Sequence, residues 1–352
     1  MRSRLIALAA MAALLLCVAV RGEVSPAAQA ADPIFDLKPI VDGVYAAVAK
    51  PVHKINCNAV VIVLAESVLV VDTHSKPSAA RALMDQIKTV TNKPVKYVVN
   101  THFHWDHTQG NAGYASAWPQ GFELLASEAT REGIEQKGLP RIKREIADLP
   151  NEIAGLKGRL AKAADERQRT DIQDRLSQTE RYLAELQGMQ VALPSITFDK
   201  SLVIHDKLRT VHLLFLGKAH TEGDVFVYLP RERFIATGDA LHQWTPYMAD
   251  SYPADWIRTL SALEQLDFDY ALGGHGDVMR GKTHLQAWKQ YFNDLTTETT
   301  TAYASGASMA QTVARVSAVL VPKHAKVMPP TFQGDITNNI QKVYRVVSGQ
   351  MN

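Results

Sequence analysis

Three histidines and an aspartate fall close together in the segment His102-Phe103-His104-Trp105-Asp106-His107. The apolar-rich run just before it, residues 95–100, predicts a buried strand, so the cluster is expected on the loop at that strand's C-terminal end. In extended backbone, residues two apart point the same way. His102 and His104 can therefore converge on one point while Asp106 and His107 turn toward another. Imidazole with carboxylate suits zinc, with manganese or iron as alternatives. The chain has only 12 histidines, so a chance cluster on a solvated loop is the weaker interpretation.

Four further segments carry residue types that would complete such a site. In chain order they are Val70-Val71-Asp72-Thr73, Gly217-Lys218-Ala219-His220-Thr221-Glu222-Gly223-Asp224, Ala236-Thr237-Gly238-Asp239 and Gly273-Gly274-His275-Gly276. With the histidine segment, this ordered set resembles the signature of the metallo-β-lactamase superfamily over about residues 40–280. The resemblance implies an α/β fold of the αββα sandwich type.

The resemblance also implies a ligand set for two metal ions, expected to be two Zn²⁺ per chain with iron or manganese possible. One ion would take His102, His104 and His220, the other Asp106, His107 and His275, and Asp239 would bridge them. Two cations roughly 3.5 to 4 Å apart can share a water, lower its pKa and deliver hydroxide to a carbonyl or phosphoryl centre. Asp106 would also orient the nucleophile, as a catalytic residue. Asp72 would orient a histidine ligand or the adjacent loop, or simply form a turn.

Asp239 and its neighbours refine the expected branch. An aspartate here resembles the glyoxalase II, lactonase and related hydrolases, whereas zinc β-lactamases with a cysteine ligand have Cys, which puts β-lactamase activity in doubt. His242 stands where lactonase-like relatives carry a substrate-contacting tyrosine, so we predict a catalytic contact there, with a surface histidine at a helix start as the alternative. Gln109 departs from the glycine of many relatives. Aromatic residues near the motifs would either wall an apolar pocket or serve packing; they are Trp105, Trp244 and Tyr247.

The elements around the motifs follow an α/β pattern. Residues 58–64 and 67–72 predict a hairpin, residues 80–87 a helix and residues 95–100 a strand that leads into the histidine segment. Further strands are expected at 123–126, 209–216, 224–229 and 233–236, and helices at 254–266, 283–295 and 337–348. The histidines outside the motifs receive no role. We expect His53, His74, His284 and His324 on the surface and His205 and His212 as structural residues of strands.

Residues 139–189 differ from the rest in being charged, nearly free of aromatic residues and heptad-like. We predict an inserted α-helical hairpin over this range, with its turn at 164–170. Each helix has one apolar stripe that its partner, the main domain or another subunit must cover. The insertion is therefore a self-packed element, a lid or an arm for a homodimer.

The N-terminus has the pattern of a secretory signal peptide over residues 1–30, ahead of one domain at 31–352. A basic start precedes the apolar run Leu5–Val20, and Ala28-Gln29-Ala30 is a small-residue cleavage site. This predicts a periplasmic or secreted protein with no stable membrane anchor. Cleavage leaves 35 basic and 35 acidic residues, and this balance argues against nucleic acid as a partner. Cys57 is then the only cysteine, which excludes an internal disulfide and is typical of a small buried hydrophobe.

We therefore predict an exported dinuclear-metal hydrolase that acts on an ester, thioester, lactone or amide of a small molecule. The first alternative is an iron-dependent oxidoreductase resembling the sulfur dioxygenases of the same superfamily. The second is a non-catalytic assembly factor that acts through its helical insertion. The substrate, the metal and the oligomeric state are not fixed by the sequence.

Overall fold

The strands of the computed structural model, which describes residues 34–50, 55–118 and 121–350, form two sheets. The first sheet keeps its strands in chain order: β1 (Phe35–Val41), β2 (Val44–Ala49), β3 (Ala59–Val63), β4 (Val68–Val71), β5 (Val95–Val99), β6 (Glu123–Ser127) and β7 (Ile196–Phe198). Strands β1 to β4 pair antiparallel, and β4 to β7 pair parallel. The parallel half matters for the site because its strands all end at the same edge.

The second sheet has the order β13-β12-β11-β10-β9-β8. Its strands are β8 (Ser201–His205), β9 (Thr210–Phe215), β10 (Val225–Leu229), β11 (Phe234–Gly238), β12 (Tyr270–Gly273) and β13 (Met279–Arg280). All pairs are antiparallel except β11 with β12, which is parallel. Strands β11 and β12 therefore also end side by side.

The helices lie between and after these strands. They are α1 (Pro77–Ile87), α2 (Trp105–Thr108), α3 (Asn111–Ala117), α4 (Glu128–Gly133), α5 (Leu139–Leu160), α6 (Glu166–Gly188), α7 (Pro253–Glu264), α8 (Thr283–Ala304), α9 (Met309–His324) and α10 (Phe332–Val347), and a π-helical turn (Ile134–Gly138) joins α4 to α5.

The alternation of side chains along the strands builds a four-layer core. On β3, Val60 and Ile62 face a cluster shared with the second sheet, and Ala59 and Val61 face the helices α1 and α3. This is the two-face period of a strand buried on both sides. The outer face of the second sheet packs against α7 to α10 around residues such as Trp256. The arrangement is therefore helix, sheet, sheet, helix, and the αββα class expected from the sequence is confirmed.

The range 139–189 contains the antiparallel pair α5 and α6. The turn between them is earlier and shorter than predicted, because the Asp165 side chain caps α6 by accepting a hydrogen bond from the Gln168 N–H at 2.8 Å. Leu149, Leu156 and Leu186 on the facing stripes are buried within the single chain. The hairpin thus covers its own apolar surface, and a homodimer through it stays a prediction.

Most other predicted elements are found within a few residues, and the differences have physical causes. Helix α8 runs nine residues beyond its predicted end because Leu295, Thr299 and Ala302 continue its buried face. Helix α9 was missed, although Ser308 begins it with a capping box. Within the described residues, no helix has both the length and the hydropathy to cross a bilayer. The predicted signal peptide lies outside the described residues.

Candidate metal centre

All five motifs lie at strand ends on one edge of the two-sheet core. Asp72 follows β4, the histidine segment follows β5, the segment 217–224 with His220 follows β9, Asp239 follows β11 and His275 follows β12. Backbone hydrogen bonds join the two sheets at this edge: Asn58 N donates to Gly274 O at 2.7 Å and Val225 N donates to Thr101 O at 2.8 Å. Because the loops are tied to each other and to the strands, their side chains converge without a flexible connection.

The first cluster contains His102, His104, His220 and Asp239, whose ligand atoms all lie within 4.8 Å of one another. The Nδ1 atom of His104 lies 3.1 Å from His102 Nε2 and 2.9 Å from His220 Nε2. The Oδ2 atom of Asp239 lies 3.5 Å from His220 Nε2 and 4.0 Å from His102 Nε2. Burial, followed by the neighbouring imidazoles, lowers the pKa of His102 and of His220 well below the ordinary value. Both rings are therefore neutral, which is the form that binds a metal.

The second cluster contains Asp106, His107 and His275, again within 4.8 Å. The Oδ2 atom of Asp106 lies 3.7 Å from His275 Nε2 and 4.0 Å from His107 Nε2. Asp106 and His107 both lie in the short helix α2. Their side chains belong to the second cluster, whereas His102 and His104, just before this helix, belong to the first. The geometry anticipated from the spacing of the segment is thus found.

Asp239 faces both clusters. Its Oδ1 lies 3.4 Å from His107 Nε2, and its Oδ2 lies 3.2 Å from His275 Nε2 as well as near the first cluster. Burial works against ionisation of this carboxyl, but the imidazoles of His275 and His107 outweigh it and hold its pKa well below the ordinary range. An ionised carboxylate enclosed by imidazoles matches the donor set of a shared divalent cation site.

The donor atoms fit divalent cations by two further observations. Tetrahedral zinc with bonds of 2.0 to 2.1 Å separates its ligand atoms by about 3.3 Å, and the distances from 2.9 to 4.0 Å bracket that value. His107 Nε2 and Asp239 Oδ1 are also buried without a hydrogen-bond partner among the described residues. Buried polar atoms in that state cost free energy unless something binds them. The residues therefore form two adjacent candidate metal sites.

Asp72 holds the second cluster from behind. Its Oδ1 accepts a hydrogen bond from Thr101 N at 2.8 Å, and its Oδ2 accepts from Thr101 Oγ1 and His107 Nδ1, both at 2.8 Å. Because Nδ1 faces Asp72, Nε2 is the ring nitrogen that faces the second cluster. Asp72 has φ of 62°, a left-handed conformation that Asp tolerates better than most residues. The sequence offered two roles for Asp72, and the contacts are those of the orienting role.

Other ring orientations come from residues that the motifs did not reveal. His220 Nδ1 donates to the Tyr247 carbonyl at 3.0 Å, and His275 Nδ1 donates to the Asn56 carbonyl at 3.0 Å. His104 Nε2 lies 3.1 Å from Asp250 Oδ2, and this contact leads the causes that lower the pKa of Asp250. Asp250 is 146 positions from His104, in a segment without a motif, so no sequence signal pointed to it.

Glycines allow the loops to approach this closely. A Cβ on Gly274 would lie 2.1 Å from Asp239 Oδ1 and 2.6 Å from His107 Cε1. Gly238, at φ of 50°, would place a Cβ 2.5 Å from Thr101 Oγ1. Both glycines are therefore required by space at the site, and Gly238 also by its backbone conformation.

A cavity of about 700 Å³ opens onto both clusters. His104, Asp106, Asp239 and His275 lie in its wall. The three aromatic residues considered from the sequence also line it: Trp105, Trp244 and Tyr247. The π-helical turn and the start of α5 also line this cavity, so the helical insertion forms part of it.

His242 is not among the residues that line this cavity. Its ring is buried, 5.2 Å from the His275 ring and 4.9 Å from Trp288 between centroids. Burial lowers its pKa to about 3. The backbone N–H of Trp244 donates to Nδ1 at 3.0 Å, so the neutral ring carries its hydrogen on Nε2. The surface position offered as the alternative is wrong, and a direct substrate contact stays a prediction.

Of the histidines expected on the surface, His74 and His324 are buried and His284 is half-buried, so that expectation is wrong for them; His205 of β8 is exposed. His74 is fully buried, stacks on Phe35 and contacts the Cys57 carbonyl through Nδ1 at 2.8 Å, so the predicted surface position is wrong. His324 is also buried, with Nε2 2.9 Å from Asp294 Oδ2, and His284 is half-buried. His53 lies outside the described residues. Cys57 is free and buried, as the sequence predicted.

A family model described as the metallo-beta-lactamase superfamily matches residues 54–275. The chain is 25% identical over 211 residues to "2,4-dinitroanisole O-demethylase subunit alpha" of Nocardioides sp. (strain JS1661), a match that covers 59% of this chain. It covers 49% of that protein, so the chain spans about half the length of this relative.

Two solved structures share the fold. One is a metallo-beta-lactamase from Pontibacter korlensis, with a TM-score of 0.53 and 17% identity, covering 74% of this chain and 99% of that one. The other is the DIM-1 metallo-beta-lactamase, with a TM-score of 0.53 and 13% identity, covering 74% of this chain and 98% of that one. At these identities the likeness concerns the fold alone.

Proposed function

Because this chain belongs to the metallo-β-lactamase superfamily, we propose that it is an exported, metal-dependent hydrolase that cleaves an ester, thioester, lactone or amide bond of a small molecule. One observation supports this proposal most strongly. Seven polar side chains from four separate loops converge in two adjacent clusters that share Asp239 and open onto one cavity. Such convergence beside a cavity is typical of a catalytic site.

The proposed ligand set follows the two clusters. His102, His104 and His220 would hold one cation, Asp106, His107 and His275 the other, and Asp239 both. Two divalent cations there would supply Lewis acidity and lower the pKa of a water that they share. Zinc suits these donors best, with iron or manganese as alternatives.

The protein's own groups position the reactants. Asp106 is both in the second cluster and in the cavity wall, so its carboxylate is placed to accept a hydrogen bond from the attacking water and to receive its proton. The exposed ring of Trp244 stacks on His275 at 4.4 Å and would exclude bulk water from that side. Hydrolysis then breaks the bond from the carbonyl carbon to the leaving group, which takes up the proton.

The proposed role of His242 is that of a hydrogen-bond donor. Its Nε2 carries the hydrogen, and its low pKa keeps it neutral at physiological pH. A change at this residue that affected turnover but not metal content would support contact with the substrate. We propose the substrate contact of His242 on these grounds. Export is proposed separately, from the signal-peptide pattern of residues 1–30.

Asp239 supports the glyoxalase II-like and lactonase-like branch over the β-lactamases with a cysteine ligand. The likeness to solved β-lactamase structures therefore supports the fold of this chain and does not support a β-lactam substrate. The panel that tests the proposal contains nitrocefin, acyl-homoserine lactones, S-lactoylglutathione and aryl esters, phosphates and sulfates.

The zinc-loaded protein is expected to hydrolyse at least one carbonyl substrate of this panel. Chelation should reduce the rate at least 100-fold and added zinc should restore it, and His104→Ala should match the chelated protein. His205→Ala, an exposed histidine of β8, is the matched control and should keep full activity. Turnover that resists chelation, or no turnover of any carbonyl substrate, would refute the proposal.

The relative named as an O-demethylase subunit favours a second candidate, the cleavage of an aryl methyl ether. Cleavage with water gives a phenol and methanol, whereas oxidation with dioxygen and two reducing equivalents gives a phenol, formaldehyde and water. Incubating the zinc-loaded and the iron-loaded protein with 2,4-dinitroanisole in air, with ascorbate as the source of the two electrons, separates these possibilities. Formaldehyde with oxygen consumption by the iron form would favour an iron-dependent oxidoreductase over a hydrolase.

A further inference from the structure

The part of the cavity wall that comes from the π-helical turn and the start of α5 is basic. It includes Lys137 of the π-helical turn and Arg141 and Arg144 of α5, all contributed by the chain leading into or forming the helical insertion. We propose that the cavity binds an organic anion with a planar apolar body, and that Arg144 contacts the anionic group. This proposal rests on the proposed function, because it names the substrate class of that hydrolase.

Two of the three cations already have acidic partners. Lys137 Nζ lies 2.7 Å from Asp250 Oδ1, and Arg141 Nη2 lies 2.7 Å from Glu145 Oε1. Arg144 is exposed and forms no hydrogen bond or ion pair with residues 34–50, 55–118 or 121–350. A single unpaired guanidinium in the wall of a cavity is suited to a carboxylate, sulfate or phosphate, because its planar fork can donate to two oxygens.

Arg141 is held next to it by a chain of contacts. Tyr182 Oη lies 3.1 Å from Glu145 Oε2 and 2.9 Å from Gln109 Oε1, so its single hydrogen is shared between these two acceptors, and Glu145 binds Arg141. The guanidinium lies 5.0 Å from the centre of the Trp105 ring. Its Nε is buried without a hydrogen-bond partner among the described residues. Arg141 therefore has a fixed position and a free donor close to Arg144.

Aromatic rings line the same cavity. Trp244 is 40% and Tyr247 58% exposed, and Trp244 stacks nearly parallel to His275, at 18°. Large exposed aromatic rings beside a cavity usually mark a contact surface for a ligand. A flat apolar group in this cavity could contact Trp244, which lies next to the second cluster through its stacking on His275.

The charge balance of the wall agrees with an anionic ligand. Its acidic residues are Asp106, Asp239 and Asp250. Lys137 offsets Asp250, and two divalent cations would exceed the charge of the other two. Arg144 adds one further positive charge that no acidic residue of the described part of the chain offsets, and positive charge attracts anions.

Two fluorescent probes separate the anionic group from the apolar body. These are 1-anilinonaphthalene-8-sulfonate and N-phenyl-1-naphthylamine, which differ only in the sulfonate. Equilibrium binding of both is measured on the purified full-length protein and needs no turnover. Arg144→Gln should raise the Kd of the sulfonate probe about tenfold, which equals about 1.4 kcal/mol, and leave the Kd of the neutral probe unchanged.

Two controls locate the effect. Arg159→Gln makes the same substitution at an exposed arginine on the same helix, about 22 Å farther along, and should change neither Kd. Trp244→Ala should raise the Kd of both probes. The proposal is overturned if Arg144→Gln affects both probes equally or neither, if Arg159→Gln matches it, or if Trp244→Ala has no effect. If the probes bind as expected but no substrate is hydrolysed, only the proposed function is refuted. If a substrate is hydrolysed but the probes do not show the expected changes in Kd, only the present inference is refuted.

Discussion

Asp72→Asn tests how the second cluster is oriented. Asp72 is buried and accepts three hydrogen bonds, two from Thr101 and one from His107 Nδ1, each at 2.8 Å. Asparagine has nearly the same size and also tolerates φ of 62°, so the backbone should persist. Its amide offers only one acceptor oxygen, and its N–H donors would face the donors of Thr101 or His107.

The expected magnitude follows from these contacts. Loss of a partner that orients a metal-binding histidine reduces metal affinity about 10- to 100-fold, which is about 1.4 to 2.8 kcal/mol. At least one buried donor also loses its acceptor, and hydrogen bonds to a charged group contribute about 1.5 to 3 kcal/mol each. We therefore expect the free energy of unfolding of the metal-free protein to fall by about 2 to 4 kcal/mol.

Competition with a chromophoric chelator measures both zinc affinities. Asp72→Asn should weaken one site by the stated factor and change the other less. Asp206→Asn is the matched control, because Asp206 accepts backbone hydrogen bonds from Ala65 and Leu208, both at 2.9 Å, away from the clusters. It should reduce stability without changing zinc affinity. Unchanged zinc binding in Asp72→Asn, or an equal loss in Asp206→Asn, would show that Asp72 does not orient a ligand.

Three further substitutions probe the site, the insertion and the buried histidines. Gly274→Ala should lower the zinc content from two ions to one or none, because the added Cβ would displace Asp239. The control is Gly155→Ala in α5, where the added Cβ meets open space; this variant should keep both ions and unfold at an equal or higher temperature. Tyr182→Phe removes the hydroxyl through which α6 contacts Glu145 and Gln109, and should reduce the urea-derived free energy of unfolding by about 1 to 3 kcal/mol. An unchanged value would mean that this hydroxyl does not hold the insertion. Burial lowers the pKa of His74 to about 3, so the folded protein keeps this ring neutral. The free energy of unfolding is therefore highest above pH 6.5 with respect to this group, and it falls as the pH drops from 6.5 toward 3. Between pH 7 and 5 the wild type should therefore lose about 2 kcal/mol more than His74→Asn, and equal losses would contradict the assignment.

The strands and the ligand clusters follow from the sequence because both depend on local pattern. Buried runs such as residues 95–99 predict strands, and each motif stands directly after one, so the sheet edge brings the motifs together. Strand β4 pairs parallel with β5, and β11 pairs parallel with β12. The C-terminal ends of each pair therefore lie at the same edge, and the motifs that follow these strands lie close together.

The cavity wall and several supporting contacts were beyond sequence reasoning. Asp250 and Arg144 lie in segments without a motif, and only the packing of the insertion brings them to the site. His74 looks like a loop residue because its left-handed backbone, at φ of 70°, interrupts any pattern, yet the sheet edge encloses it. Gln109, which departs from the glycine of many relatives, contacts Tyr182 of the insertion through its side chain.

The central claim is that the side chains of the two clusters hold a pair of cations. Anomalous diffraction at the zinc edge, from crystals of the zinc-loaded protein, tests it most directly. We expect two peaks per chain, roughly 3.5 to 4 Å apart, one among His102, His104 and His220 and the other among Asp106, His107 and His275, with Asp239 between them. A single peak, no peak, or peaks away from these residues would contradict the claim.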